Sequence, residues 1–231
     1  MDFRYGDQTG SLTGDAHSHE EAGGAPEGRD FSPKRIFDIS IATLALVFAA
    51  PLLLVVGLLI RLQDNQKALY SQPRWGRNGE TFQCFKLRSM VPDAAERLDA
   101  LLASSPEAKR EWDLTQKLTN DPRITPLGKF IRATSIDELP QLLNIIRGEM
   151  SFVGPRPIPL YERSKYGDGF EYYCRVRPGL TGIWQISGRS NVSYAERVEM
   201  DTEYVKSNTF AGDIGIMLKT VPAVLLSVGA K

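Results

Sequence analysis

The chain has 231 residues, in which 28 lysine and arginine residues balance 28 aspartate and glutamate residues. This length is enough to bury the core of one domain, and the zero net charge excludes general attraction to nucleic acid as the basis of its function. The two cysteines, Cys84 and Cys174, are far apart and lack metal-ligand spacing. This spacing argues against a disulfide framework and a zinc site, and favours a reducing compartment.

Residues 1–30 are polar and glycine-rich, which predicts a disordered N-terminal tail. The tail lacks the basic start and apolar run of a signal peptide. We assign no role to His17 and His19, because a pair of histidines in such a segment is usually solvated.

The next segment, residues 31–62, is predicted to be a membrane helix. Residues 39–60 carry no charge, and as a helix they would reach about 33 Å, enough for the hydrocarbon core of a bilayer. Pro51 falls near the middle, where it would bend the helix. Basic residues on both flanks favour keeping both ends cytoplasmic. Two alternatives remain open, a re-entrant helix broken at Pro51 and a single straight span.

Residues 63–231 are predicted to form a cytoplasmic catalytic domain of the α/β class, mainly helical with a small β-hairpin. Residues 68–72 and 81–88 are typical of strands, with a tight turn at residues 77–79. Helical spacing continues over residues 93–118, interrupted at Ser105 and Pro106, and packing on the core is the preferred interpretation. An amphipathic helix, packed on the domain or lying at the membrane interface, is predicted within residues 210–228.

Two adjacent carboxylates, Asp137 and Glu138, lie just before Pro140. Because proline is tolerated mainly in the first turn of a helix, we expect a helix to begin near residues 135–137. Both acids would then lie beside free backbone N–H groups, which suit phosphate and would favour an ionised Asp137. Neighbours in a helix point about 100° apart, so one acid could attack phosphorus while the other binds a metal. On these residues alone, a capping box of Ser135 and Glu138 is the preferred alternative.

Arginine recurs beside glycine and proline in the second half of the chain. Two such stiff loops are predicted at residues 147–157 and 175–185. A third arginine-bearing stretch is residues 187–189, which ends in Arg189. Rigid loops present arginine to phosphate at little ordering cost. Several loops of this kind in a chain with no net charge suit a diphosphate substrate. The candidate ligands for phosphate, nucleotide or acceptor are Arg88, Arg156, Arg175, Arg177 and Arg189.

Five ordered motifs resemble those of the bacterial sugar transferase family, the monotopic phosphoglycosyl transferases that act on polyprenyl phosphate. They are residues 86–90 (Lys-Leu-Arg-Ser-Met), 121–125 (Asp-Pro-Arg-Ile-Thr), 134–141 (Thr-Ser-Ile-Asp-Glu-Leu-Pro-Gln), 148–157 and 177–182. The resemblance runs from about residue 31 to the C-terminus. It departs from the family at Ala50, where many members have serine before the proline, and at Glu149, where many have aspartate.

The resemblance implies a reaction in which Asp137 attacks the β-phosphorus of a UDP-sugar and releases UMP. Undecaprenyl phosphate then accepts the sugar phosphate, while Glu138 helps to hold Mg²⁺. It implies an enzyme of the inner membrane that starts exopolysaccharide synthesis, with UDP-galactose or UDP-glucose as donor. The bilayer, a homo-oligomer and downstream glycosyltransferases are the further partners it suggests.

Two other classes compete with this interpretation. A membrane scaffold without activity would explain the anchor and the basic loops but has no need of the whole motif set. A soluble metal-dependent nucleotidyltransferase would explain the acids and arginines but leaves residues 39–60 unexplained. Release of UMP from a UDP-sugar would exclude the scaffold. Partition of the protein into detergent would exclude the soluble nucleotidyltransferase.

Overall fold

The computed structural model describes residues 32–115, 118–187 and 192–225. The predicted N-terminal tail therefore lies outside the described residues, and its disorder stays a prediction. The described part of the chain is mostly helical with two small sheets.

Helix α1 (Pro33–Asp64) is long and apolar enough to cross a membrane. The Ser32 side chain caps it by accepting a hydrogen bond from the Arg35 N–H at 3.2 Å, and Pro33 occupies the first turn. Pro51 lies inside α1, which runs without interruption from Pro33 to Asp64, so a re-entrant path through the membrane stays a prediction. A proline removes only one hydrogen bond of the ladder, and the 32-residue helix continues on either side of it.

The predicted hairpin is confirmed. Strands β1 (Leu69–Trp75) and β2 (Thr81–Leu87) pair antiparallel, with Leu69 opposite Leu87 and Trp75 opposite Thr81. A short 3₁₀ turn joins the two strands at Arg77–Gly79. On β2 the side chains of Phe82 and Cys84 are buried on one face, as the two-residue period of a strand requires.

The predicted break at Ser105 is also confirmed, because helices α2 (Ala94–Ser104) and α3 (Pro106–Thr115) meet there. The preferred interpretation for this segment was packing on the core, and it is wrong for α2. None of the side chains of α2 is buried. The leucines of α2 are half-buried, and α2 contacts α3.

The remaining elements follow in chain order. They are α4 (Pro126–Ala133), α5 (Gln141–Arg147), β3 (Ser151–Val153), α6 (Arg163–Tyr166), α7 (Gly169–Cys174), β4 (Gly179–Thr181), α8 (Ile183–Ile186), α9 (Tyr194–Ser207) and α10 (Phe210–Leu225). Strands β3 and β4 pair in parallel, with Ser151 opposite Gly179 and Val153 opposite Thr181. The predicted C-terminal helix is present as α10, with Met217 against the core and Val221 exposed.

Within the described residues, three apolar clusters join these elements. The first connects α1, β2, α5, β3 and α9 through Ala42, Phe82, Cys84, Leu142, Ile145, Met150, Phe152, Val153 and Tyr204. The second joins the later half of α1 to the hairpin and α4 through Val56, Ile60, Leu87 and Ile131. The third contains Ile158, Tyr166 and Tyr173. Helix α1 thus packs on the same domain through both of its halves.

Candidate active site

The carboxylate pair lies on a single 3₁₀ turn, Ile136–Glu138, between α4 and α5. The expectation that a helix begins near residues 135–137 is confirmed, although its first turn is a 3₁₀ turn and the α-helix starts only at Gln141. Ser135 has φ 57°, a left-handed conformation that ends the path of α4, and only one turn fits before α5 begins at Gln141. The Ser135 side chain makes no capping hydrogen bond, so the capping-box alternative is wrong as well.

Glu138 lies between two cations. Lys86 Nζ, on β2, donates to Glu138 Oε1 at 2.8 Å, and Arg156 donates to the same oxygen at 2.6 Å. Burial alone would raise the pKa of Glu138, but the charges and hydrogen bonds of Arg156 and Lys86 hold this pKa well below its usual range. Glu138 is therefore the acid that the site keeps ionised.

The pKa of Asp137 is shifted in the opposite direction, although Asp137 is adjacent to Glu138 in sequence. Its side chain is buried, with 8% of the residue exposed. Burial raises the pKa of Asp137, and the negative charge of Glu138 raises it further, against the opposing charges of Lys86, Arg132 and Arg156. The expectation that the site favours an ionised Asp137 above an ordinary aspartate is wrong, because desolvation outweighs the cations. One turn thus separates the pKa values of two neighbouring carboxylates.

The five predicted arginines fall in different places. Arg156 lies at the pair Asp137 and Glu138, called the dyad below, and its guanidinium contacts Glu138. Arg88 instead forms a two-bonded ion pair with Asp64 at the end of α1, at 2.5 and 2.6 Å, and donates to the Lys67 carbonyl. Arg175 and Arg177 line a separate cavity beside the start of α1. Arg189 lies outside the described residues.

Sequence reasoning missed two cations of the site, Lys86 and Arg132. Arg132 lies in the last turn of α4, and its Nε donates to Ser89 Oγ at 2.8 Å. The charges of both residues act on Asp137. For Lys86 the signal was present in the alternation of β2, which places it on the same face as Phe82 and Cys84.

Two glycine-rich loops hold Arg156 by packing backbone against backbone. A Cβ at Gly154 would lie 2.5 Å from the Arg177 carbonyl oxygen, and one at Gly179 would lie 2.2 Å from the Gly154 nitrogen. Only glycine fits at such distances, so the loop of Arg156 rests directly on the loop of Arg177. From the other side, Arg197 on α9 donates to the Arg156 carbonyl at 3.5 Å.

A buried asparagine, Asn144 on α5, fixes the dyad turn relative to the hairpin. Its Oδ1 accepts from the Phe85 N–H at 3.0 Å, and its Nδ2 donates to the Gln83 carbonyl at 2.7 Å and to Glu149 at 2.6 Å. Glu149, whose role the sequence left open, is thus an acceptor for this asparagine. These bonds tie the helix after the dyad to the strand that carries Lys86.

The residues of the dyad suit a magnesium ion only in combination with a substrate. Among the described residues, no three His, Cys, Asp or Glu side chains form a metal-binding group. Mg²⁺ usually keeps several waters and takes one or two carboxylates together with substrate phosphates. Both cation contacts of Glu138 fall on Oε1, and the Asp137 carboxyl is adjacent in sequence, so the donor set fits this mode of binding.

Comparison with known proteins gives a consistent result. The model of the family described as bacterial sugar transferase matches residues 29–227. The exopolysaccharide production protein ExoY of Sinorhizobium fredii is 50% identical over 197 residues, which are 85% of this chain and 87% of that protein.

Two further relatives have names that state a reaction. The undecaprenyl-phosphate galactose phosphotransferase of Salmonella typhimurium is 48% identical over 85% of this chain, which spans 41% of that longer protein. The UDP-glucose:undecaprenyl-phosphate glucose-1-phosphate transferase of Caulobacter vibrioides is 37% identical over 85% of this chain and 71% of that protein. The chain belongs to the bacterial sugar transferase family.

Proposed function

We propose that this protein transfers a hexose 1-phosphate from a UDP-sugar to undecaprenyl phosphate, releasing UMP, as the first membrane step of exopolysaccharide synthesis. The family membership and the names of its relatives support this class of reaction. The observation that carries the proposal is the acid pair on one turn, with one carboxylate buried and the other between Lys86 and Arg156.

Asp137 is the proposed nucleophile. Its carboxylate oxygen forms a bond to the β-phosphorus of the UDP-sugar while the bond from that phosphorus to the bridging oxygen breaks, and UMP leaves with the bond's electron pair. A phosphate oxygen of undecaprenyl phosphate then attacks the same phosphorus and releases the Asp137 carboxylate. The raised pKa of Asp137 supports this role, because a desolvated carboxylate is a stronger nucleophile than a solvated one.

Glu138 is the proposed ligand for Mg²⁺, and Lys86, Arg132 and Arg156 are the proposed contacts for the diphosphate. When bound, the metal neutralises charge on the phosphate oxygens. The three cations supply the same kind of stabilisation from fixed positions, because Lys86 and Arg156 are held by Glu138 and Arg132 by Ser89. Of the sequence candidates, Arg189 stays a proposed nucleotide or acceptor contact.

We also propose that α1 enters the bilayer without crossing it, leaving the catalytic domain on the cytoplasmic side of the inner membrane. The contacts at both ends of α1 support this topology. Near its start Asp38 accepts from Ser151 Oγ at 2.7 Å, and at its end Asp64 pairs with Arg88. A straight crossing would place these ends about 30 Å apart on opposite sides of the hydrocarbon, whereas one charged domain holds both.

The middle of α1 supports contact with lipid. Phe48 is 77% exposed and Leu54 is 75% exposed, and neighbouring large apolar side chains are exposed as well. A patch of this kind on a domain that holds both helix ends suits a helix lying with one face on protein and the other in the membrane.

The test of the reaction is an assay of purified protein with undecaprenyl phosphate, Mg²⁺ and a panel of UDP-sugars that includes galactose and glucose. We expect release of UMP and a lipid-linked sugar diphosphate from one of these donors. Asp137→Asn should abolish both while the protein stays folded and membrane-bound. Full turnover by this variant would contradict the nucleophile assignment, and absence of UMP from every donor would favour the alternative, a scaffold without activity.

The test of topology uses single cysteines at Asp30, before α1, and at Gln63, in its last turn, in a background with Cys174 replaced by serine. An impermeant thiol reagent added to intact cells should label neither position, and inverted membrane vesicles should expose both. Labelling of one position from each side would establish a straight span instead.

A further inference from the structure

Arg74, on strand β1, lies on the face of the hairpin that meets the dyad. The register pairs Arg74 with Phe82 and Tyr70 with Lys86, and residues directly opposite each other in an antiparallel pair share one face. Alternation along β1 places Tyr70 and Arg74 on the same face. Lys86 contacts Glu138 from this face, and Arg74 is half-buried on it. Arg74 therefore lies on the side of the hairpin that carries the site.

The Arg74 guanidinium bonds to the residue that follows Arg156. Its Nη1 donates to the Pro157 carbonyl at 3.1 Å, and its Nη2 donates to Gln72 Oε1 at 2.7 Å. Because Gln72 belongs to the same strand, its contact fixes the orientation of the planar guanidinium. Arg74 is thus a fixed donor from the hairpin to the backbone beside Arg156.

Backbone contacts attach the same segment to the edge of β1. Arg74 and Pro159 form an antiparallel bridge, and the Trp75 N–H donates to the Ile158 carbonyl at 3.0 Å. These contacts do not involve the Arg74 side chain. Replacing that side chain should therefore leave the segment attached and act locally, at the Pro157 carbonyl.

A second arginine, Arg197 on α9, donates to the preceding carbonyl, that of Arg156, at 3.5 Å. Arg197 is itself held by its surroundings. Its guanidinium lies 4.7 Å from the centre of the Trp184 ring and 3.7 Å from Glu162 Oε2. The consecutive carbonyls of Arg156 and Pro157 thus accept hydrogen bonds from arginines on two different elements.

The charge of Arg74 does not explain its position. Burial lowers the pKa of Arg74, and the nearby cation Arg156 lowers it further. The two cations therefore repel each other, and the hydrogen bonds of Arg74 to Pro157 and Gln72 offset this repulsion. An arginine held by neutral oxygens beside a like charge suits a positioning role.

We propose that Arg74 and Arg197 are positioning residues, which hold the backbone of Arg156 between the hairpin and α9 so that its guanidinium reaches Glu138 and the diphosphate. This proposal deepens the proposed function and rests on it. Neither arginine contacts the substrate, and each acts through Arg156.

The test is a double-mutant cycle on kcat/KM for UMP release by the full chain in detergent. Because a shift of about 1 Å in a positioning group costs up to ~100-fold in rate, we expect Arg74→Gln to lose at least tenfold. In an Arg156→Gln background the same change should cost less than threefold, because residues that act through one another are not additive. The same pattern should hold for the affinity for UDP measured by calorimetry, which needs no turnover.

Two further variants separate position from charge. Arg74→Lys keeps the charge and one donor for the Pro157 carbonyl, so it should lose less than Arg74→Gln but at least threefold. It carries the test if Arg74→Gln fails to fold. The matched control is Arg77→Gln, which removes a cation from the turn of the same hairpin and should change kcat/KM less than twofold.

Hydrogen exchange tests the hold on the segment without any substrate. The amides of Arg156 and Ile158 should exchange at least threefold faster in Arg74→Gln and unchanged in Arg77→Gln. The proposal would be overturned by wild-type exchange in Arg74→Gln, by a further tenfold loss on adding it to Arg156→Gln, or by an equal loss in Arg77→Gln. Faster exchange in a protein whose wild type releases no UMP would contradict the proposed function alone.

Discussion

Gly154 provides a direct test of whether backbone packing between the two loops positions Arg156. In Gly154→Ala the new Cβ would lie 2.5 Å from the Arg177 carbonyl oxygen and 3.0 Å from the Gly179 nitrogen. Ordinary van der Waals contact begins near 3.4 Å, so the loops must separate by about 0.9 Å to reach it. Gly154 lies two positions before Arg156, so a displacement of Gly154 also moves the backbone of Arg156. The Arg156 guanidinium contacts Glu138 at 2.6 Å.

Two effects of different size follow from this displacement. Overpacking costs about 1–3 kcal/mol of unfolding free energy, which lowers the melting temperature by roughly 2–12 °C in a chain of this size. Misplacing a substrate-positioning group by about 1 Å costs up to ~100-fold in rate. We therefore expect kcat/KM for UMP release to fall between ten- and a hundredfold at a temperature where the variant is folded.

The matched control is Gly215→Ala on α10, where an added Cβ meets nothing within 4 Å. This change should leave kcat/KM unaltered and stabilise the helix by up to about 1 kcal/mol. Wild-type kcat/KM in Gly154→Ala would refute the view that the loop contact positions Arg156. An equal loss in Gly215→Ala would attribute the effect to added volume anywhere in the chain.

Three other predictions concern the charges and polar contacts. In Glu138→Gln, the acid limb of the pH profile of kcat/KM should move to lower pH, because one cause of the raised Asp137 pKa is removed. The magnesium concentration needed for activity should rise. An unmoved acid limb would contradict the effect of Glu138 on Asp137, and an unchanged magnesium titration would contradict its role as a metal ligand. Burial raises the pKa of Asp201 to about 6, so its contribution to stability is present below the unfolded value of about 4 and lost as pH rises through 6. Asp201→Asn should therefore gain stability over wild type by up to about 3 kcal/mol at pH 8 and little at pH 4, and a pH-independent difference in urea unfolding would contradict this. Asn144→Leu should cost about 2–5 kcal/mol because it leaves the Phe85 N–H and the Gln83 carbonyl unpaired; a loss below 1 kcal/mol in the same assay would count against it.

The features predicted correctly from the sequence are those set by neighbouring residues. The apolar α1, the hairpin turn and the break at Ser105 each depend on a few adjacent side chains. The helix start near Asp137 was predicted, but its 3₁₀ form was not, because that form depends on the left-handed Ser135, a single conformation that a polar residue permits but does not demand. Tertiary context decided the outcome there.

The partners of the arginines are even harder to predict from neighbouring residues. Nothing local to Arg88 indicates that its partner is Asp64, 24 positions earlier, and nothing local to Arg177 indicates the Gly148 carbonyl. An arginine beside glycine and proline is equally suited to a substrate phosphate, a carboxylate or a carbonyl oxygen. Only the paths of the loops in space distinguish these partners, whereas Arg156 could be assigned because its motif fixes it near the dyad.

The second apolar cluster connects the membrane helix to the chemistry. Val56 and Ile60 of α1 pack with Leu87 and Ile131, and Ile136 lies against the same cluster. Each of these three contacts is next in sequence to a residue of the site, since Lys86 precedes Leu87, Arg132 follows Ile131 and Asp137 follows Ile136.

The later half of α1 thus packs against the residues adjacent in sequence to Asp137, Lys86 and Arg132. A shift of α1 in the bilayer would move all three together, because packed cores transmit displacement and do not absorb it. This arrangement gives a physical reason for one chain to carry both membrane helix and dyad. The surface that contacts lipid also fixes where Asp137 stands relative to a lipid-borne acceptor.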